Sequence, residues 1–66
     1  MDRSTFEKVM RRIIHNIEDA GYDAYDQLNA YVLTGDVHYI TREGNTRSYI
    51  EKLDREQIRR YLKCIQ

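Results

Sequence analysis

Sixty-six residues make at most one domain, and a chain this short buries only about 60% of the surface its unfolded form exposes, which excludes a separate catalytic unit and leaves a marginal core. Eleven Lys and Arg balance eleven Asp and Glu at a formal net charge of zero, which argues against the grip on nucleic acid that many phosphate-neutralising basic residues supply. A single cysteine, Cys64, excludes an internal disulfide, and His15 and His38 lie too far apart for a zinc motif, so self-association is the support expected for so small a fold.

The first predicted element is an amphipathic helix in which Phe6, Val9, Met10, Ile13, Ile14 and Ile17 recur at steps of three and four and stack on one face. Ser4 through Glu7 reads as a capping box, and Gly21 stops the helix because it takes the left-handed conformation without steric cost. A second helix is predicted from about Ala24 to Thr34, with Asp23 as its N-cap and Tyr25, Leu28, Tyr31 and Val32 as its buried stripe; Leu33 is assigned to folding with Tyr31 and Val32. Gly35 ends it as Gly21 ended the first.

Periodicity then fails. Val37 through Ile40 reads either as a short strand or as one helical turn capped by Asp36. Gly44-Asn45 is a strong turn dipeptide, which makes Thr41 through Asn45 a surface loop. Beyond it Tyr49, Ile50 and Leu53 have helical spacing, Asp54 through Gln57 repeats the capping logic, and Ile58, Tyr61, Leu62 and Ile65 form a last apolar stripe. This tail reads as two helices or as one kinked at Leu53-Asp54. The expectation is an all-α, compact single domain over residues 1–66, built of four to five short helices and dimerising.

No apolar run approaches the roughly 20 residues that span a bilayer, and the N-terminus lacks a hydrophobic signal core, so the chain reads as cytoplasmic with Cys64 reduced and no membrane insertion. The carboxylates of Glu7, Asp23, Asp26, Asp54 and Glu56 fall where helix starts need them. Gly21, Gly35 and Gly44 are too widely spaced for a nucleotide loop, and Cys64 reads as a small apolar filler. No catalytic residue, metal ligand or cofactor site emerges. The six tyrosines divide between two readings, core rings with rim hydroxyls or the edge of a subunit interface. Arg11-Arg12 and Arg59-Arg60 have acidic neighbours at helical distance, Glu7 for Arg11 and Glu56 for Arg59 or Arg60. Arg42 and Arg47 flank the Glu43-Gly44-Asn45 turn, where a guanidinium either forks onto a partner's carboxylate or phosphate, or caps the next helix and pairs with Glu43 and Glu51.

Gly21-Tyr22, Gln27, Tyr31-Val32-Leu33, Thr34-Gly35-Asp36, Tyr39-Ile40, Arg42, Asn45, Arg47, Ile50, Lys52 and the run from Asp54 to Ile58 together resemble the IreB family, small regulatory phosphoproteins of Gram-positive bacteria. The resemblance covers about residues 21 to 58 and favours the turn over the strand at 37–40. It implies a helical homodimer without an active site, phosphorylated by a membrane-anchored Ser/Thr kinase with peptidoglycan-sensing repeats. Such a protein controls cell-wall synthesis by holding or releasing a protein partner. Arginines at the positions matching Arg42 and Arg47 are implicated in that signalling, so both are expected to bind the partner. The family's phosphoacceptor threonine lies in an N-terminal tail, whereas this chain starts almost at its first helix; the tail is expected to be missing, and Thr5 becomes the candidate phosphorylation site. Further departures are Asp23-Ala24 in place of Asn-Pro, Val37 in place of Pro, and Arg59-Arg60 and Cys64 in place of a more acidic pattern. The competing reading is a small helix-turn-helix-like DNA binder that reads with Arg55, Arg59, Arg60 and Lys63 of the last helix.

Overall fold

Among the described residues four α-helices and two single 3-10 turns follow one another: α1 (Arg3–Asp19), α2 (Ala24–Thr34), a turn at Val37–Tyr39, a turn at Glu43–Asn45, α3 (Thr46–Glu51) and α4 (Arg55–Ile65). The structure, a computed structural model, describes residues 2–65, and the side chain of Ile65, the last position of the stripe expected in α4, lies outside the described residues.

The apolar stripe of α1 is as the spacing requires. Phe6, Met10, Ile13 and Ile17 are buried, with Val9 and Ile14 half-buried beside them. Its cap is not the expected one. Asp2, with extended backbone, accepts the Thr5 N–H at 2.7 Å, while Ser4 lies inside the first turn and Glu7 pairs with Arg3 at 3.1 Å instead of with Arg11. A cap residue must stand just outside the helical backbone, and the helix begins two residues earlier than the Ser4 box implies. The other end closes as predicted: Gly21, at φ +89, donates to the Glu18 carbonyl and Tyr22 to that of Ile17, the paired bonds of a left-handed stop.

α2 runs between the predicted limits, with the Asp23 carboxylate on the Asp26 N–H at 3.1 Å and Gly35 left-handed at φ +73. Leu28 and Tyr31 are buried and Tyr25 and Val32 half-buried, but Leu33 is 75% exposed. One step past Val32 the side chain has turned away from the face that α4 and α1 cover. Residues 37–39 form the turn rather than the strand, capped by Asp36, whose carboxylate accepts the His38 N–H at 2.9 Å.

Thr41 corrects the surface-loop reading. It is buried, whereas residues 42–45 are exposed, and Gly44 and Asn45, at φ +63 and +60, lead directly into α3. Residues 46–65 are two helices, separated at Lys52–Asp54 where Leu53 packs inward.

α2 lies on α4, and α1 lies on α3 and α2. Ile13, Ile17, Leu28, Ile50 and Ile58 meet where these helices converge, each wholly buried and each stabilising by about 1.5–3 kcal/mol through removal of apolar surface from water. The Phe6 and Tyr61 rings meet edge to face, centroids 6.0 Å apart, which joins the start of α1 to the end of α4. No helix among the described residues is long and apolar enough to cross a membrane.

Candidate functional site

The segment from Asp36 to Thr46 has little regular structure, and side chains from three helices tie it down. From α1, the Asn16 amide donates to the Gly44 carbonyl at 3.2 Å. From α2, the Gln27 side-chain oxygen accepts the Thr41 N–H at 2.9 Å. From α3, Arg47 Nε donates to the Ile40 carbonyl at 2.8 Å, Arg47 Nη2 reaches the His38 carbonyl at 3.4 Å, and the Thr46 hydroxyl donates to the Glu43 carbonyl at 2.5 Å. Inside the segment the Thr41 hydroxyl accepts the Glu43 N–H at 3.2 Å, and Ile40 anchors the chain as a buried apolar plug.

Arg42 and Arg47, predicted together, line one shallow depression of about 380 Å³ with Tyr22, Gln27, His38, Tyr39 and Glu43. Their circumstances differ. Arg42 is exposed, and its side chain makes no hydrogen bond or ion pair among the described residues. Arg47 is half-buried and turned to backbone carbonyls, so it neither caps α3 nor pairs with Glu43 or Glu51. Two residues that composition alone did not single out stand beside them: Tyr22 at 57% exposure and Tyr39 at 49%. A signal for them existed, since both tyrosines fall outside every apolar stripe. The tyrosines as a set divide as the two open readings allow, with Tyr31 in the core, Tyr25, Tyr49 and Tyr61 half-buried and these two outside.

Near the rim, the His38 N–H and then the His38 ring, 2.8 Å away, hold the Asp36 carboxyl below its ordinary range.

Thr5 lies elsewhere. It is exposed in the first turn of α1, eleven residues before the Asn16 that touches the loop, or about 17 Å along the helix axis. Its N–H, and after it its hydroxyl, hold the Asp2 carboxyl below the usual carboxylate range. A phosphate on Thr5 would meet favourable helix-start N–H groups and an unfavourable Asp2 charge together.

The basic residues of α4 are partly engaged. Arg59 donates to Glu56 at 2.9 Å and Arg60 stands 3.9 Å from the same carboxylate, as the spacing predicts, while the Arg55 guanidinium lies against Gly35. Cys64 is exposed, which corrects the filler reading: it faces a groove beside Arg3, Arg60 and Tyr61 and not the core. Near the helix end the stripe positions Ile58 and Leu62 take the inward face, and Cys64 lies off it. Among the described residues no buried side-chain nitrogen or oxygen lacks a partner.

A family model for the IreB regulatory phosphoprotein matches residues 1–63, a span that takes in α1 as well as the 21–58 stretch carrying the residue-level resemblance.

Proposed function

The chain belongs to the IreB family, and from that membership we propose that it is a non-enzymatic, cytoplasmic adaptor that holds or releases a protein partner through the loop that carries Arg42 and leads into Arg47 at the start of α3. In this reading it works as a homodimer downstream of a Ser/Thr kinase in the control of cell-wall synthesis. The observation that carries the reading is Arg42: an exposed guanidinium without a partner among the described residues, on a segment tied to three helices and lining one depression with two exposed tyrosines. Tyrosine and arginine supply much of the binding energy in protein interfaces, and a loop already held in shape loses little conformational freedom on docking. The DNA-reading alternative draws less support, because Glu56 holds Arg59 and Arg60 in part and Arg55 leans on Gly35.

The test is co-purification of the tagged chain from its native cytosol beside the double variant Arg42→Glu/Arg47→Glu. Loss of one defined protein with helicity and sedimentation unchanged is the expected result, and undiminished capture sinks the proposal. Sedimentation of the wild-type chain as a monomer across micromolar concentrations removes the dimer. A salt-sensitive gel shift with duplex DNA reinstates the alternative.

A further inference from the structure

We infer that the two arginines have different duties: Arg42 meets the partner, while Arg47 and Gln27 are positioning residues that clamp one peptide group and so set the direction in which Tyr39 and Arg42 project. The inference rests on the partner-loop reading and divides its parts. The Ile40 carbonyl and the Thr41 N–H belong to the same peptide group. Arg47 from α3 holds its oxygen at 2.8 Å and Gln27 from α2 holds its nitrogen at 2.9 Å. A peptide group is planar, so gripping both edges leaves it no free rotation. The two side chains adjoining it, Ile40 and Thr41, are both buried, at 1% and 9% exposure. Tyr39 precedes this fixed plane and Arg42 follows it, and both are exposed.

The chemistry of Arg47 agrees. Its Nε and Nη2, the side-on fork that guanidinium offers a carboxylate, are occupied by the Ile40 and His38 carbonyls. Gln27 adds the second grip without charge, through an oxygen acting as acceptor. Conservative replacements should therefore behave differently at each site. Lysine at 47 retains a donor for the Ile40 carbonyl, and glutamate at 27 retains an acceptor for the Thr41 N–H. Lysine at 42 loses a fork meant for a partner.

Amide exchange on the isotope-labelled full chain reads the clamp directly, with Ile40, Thr41 and Glu43 as reporters and Ile13 and Leu28 as core controls. Arg47→Ala and Gln27→Ala should each speed exchange at Thr41 by about tenfold, the equivalent of one lost hydrogen bond, with the controls unchanged. Arg47→Lys and Gln27→Glu should restore most of the protection, and Arg42→Ala should leave all reporters at the wild-type rate. Partner capture should follow loop protection at positions 27 and 47, and should be lost in both Arg42→Ala and Arg42→Lys. Wild-type exchange at Thr41 in both alanine variants overturns the clamp, as does lost capture in Arg47→Ala with the loop still protected. Should Arg47→Ala lose its helicity, Gln27→Ala decides. If the exchange results hold while Arg42→Ala captures normally, the partner-loop reading fails and the clamp stands.

Discussion

The helical core and the segment from Asp36 to Thr46 lie against each other and are held by different forces. In the core, Ile13, Leu28 and Ile58 are stabilised by leaving water, a force with no direction that accepts any side chain of the right volume. In the segment, beside the buried Ile40, the grips are directional hydrogen bonds with defined donors and acceptors: Asn16 to the Gly44 carbonyl, the Thr41 N–H to Gln27, Arg47 to the Ile40 and His38 carbonyls. Losing one is expected to cost about 0.5–1.5 kcal/mol, the net worth of a hydrogen bond, against several for a core truncation. The core supplies persistence and the segment supplies direction, which is why the candidate partner loop lies in the region with less regular structure.

Core truncation is the largest expected effect. Ile13→Ala should cost about 2–5 kcal/mol in urea denaturation, a large share of the stability of so short a chain. The contrast with the loop breaks if Gln27→Ala proves equally costly.

Gly44→Ala comes next, at about 1–2 kcal/mol for the left-handed backbone, since φ is +63. A new Cβ there would also stand 2.9 Å from the Asn16 amide, whereas one on Gly21, at φ +89, meets nothing within 4 Å. Thermal unfolding should rank Gly44→Ala as the worse of the two; equal losses would show that Asn16 yields freely.

Acid should act more gently and at several points. Asp2 is held down chiefly by the Thr5 N–H, Asp36 by the His38 N–H and Glu56 by the Arg59 side chain. A carboxyl whose folded value is depressed contributes stability above its unfolded value and loses it as pH falls through the folded one. The melting temperature should therefore hold from neutrality to about pH 5 and decline below about pH 4. Asp36→Asn should remove part of that decline. A decline between pH 7 and 5 would assign the linkage to other groups.

Leu33→Ser should change stability least, within about 0.5 kcal/mol, because the side chain is 75% exposed. A loss several times larger, measured at dimer-forming concentration, would place Leu33 in a contact between copies of the chain.

Much of the fold was legible because it is local. Asp23 as cap, Gly21 and Gly35 as stops and the stripe of α1 each depend on residues within about five positions, and each stands as predicted. The cap of α1 was misplaced because Asp2 and Ser4 both carry a short acceptor near the start, and the composition of the first turn does not decide between them. The family resemblance was legible for the same local reason, as ordered residues in a short span. The site was legible only in outline: Arg42 and Arg47 were found, Tyr22 and Tyr39 were not, and the engagement of Arg47 was invisible.

By itself, then, the sequence determined an all-α chain, the limits of α2, the Gly21 stop of α1 and the inward stripe of α1, since periodicity and capping act over one or two helical turns. Only the tertiary structure decided that Thr41 is buried, that Cys64 faces a groove, and that the Arg47 side chain is occupied while that of Arg42 has no partner among the described residues. The segment that Arg47 grips is also held by Asn16 reaching Gly44 across 28 positions and Gln27 reaching Thr41 across 14. Which donor meets which acceptor at such separations is set by how the helices pack, and no local pattern encodes it.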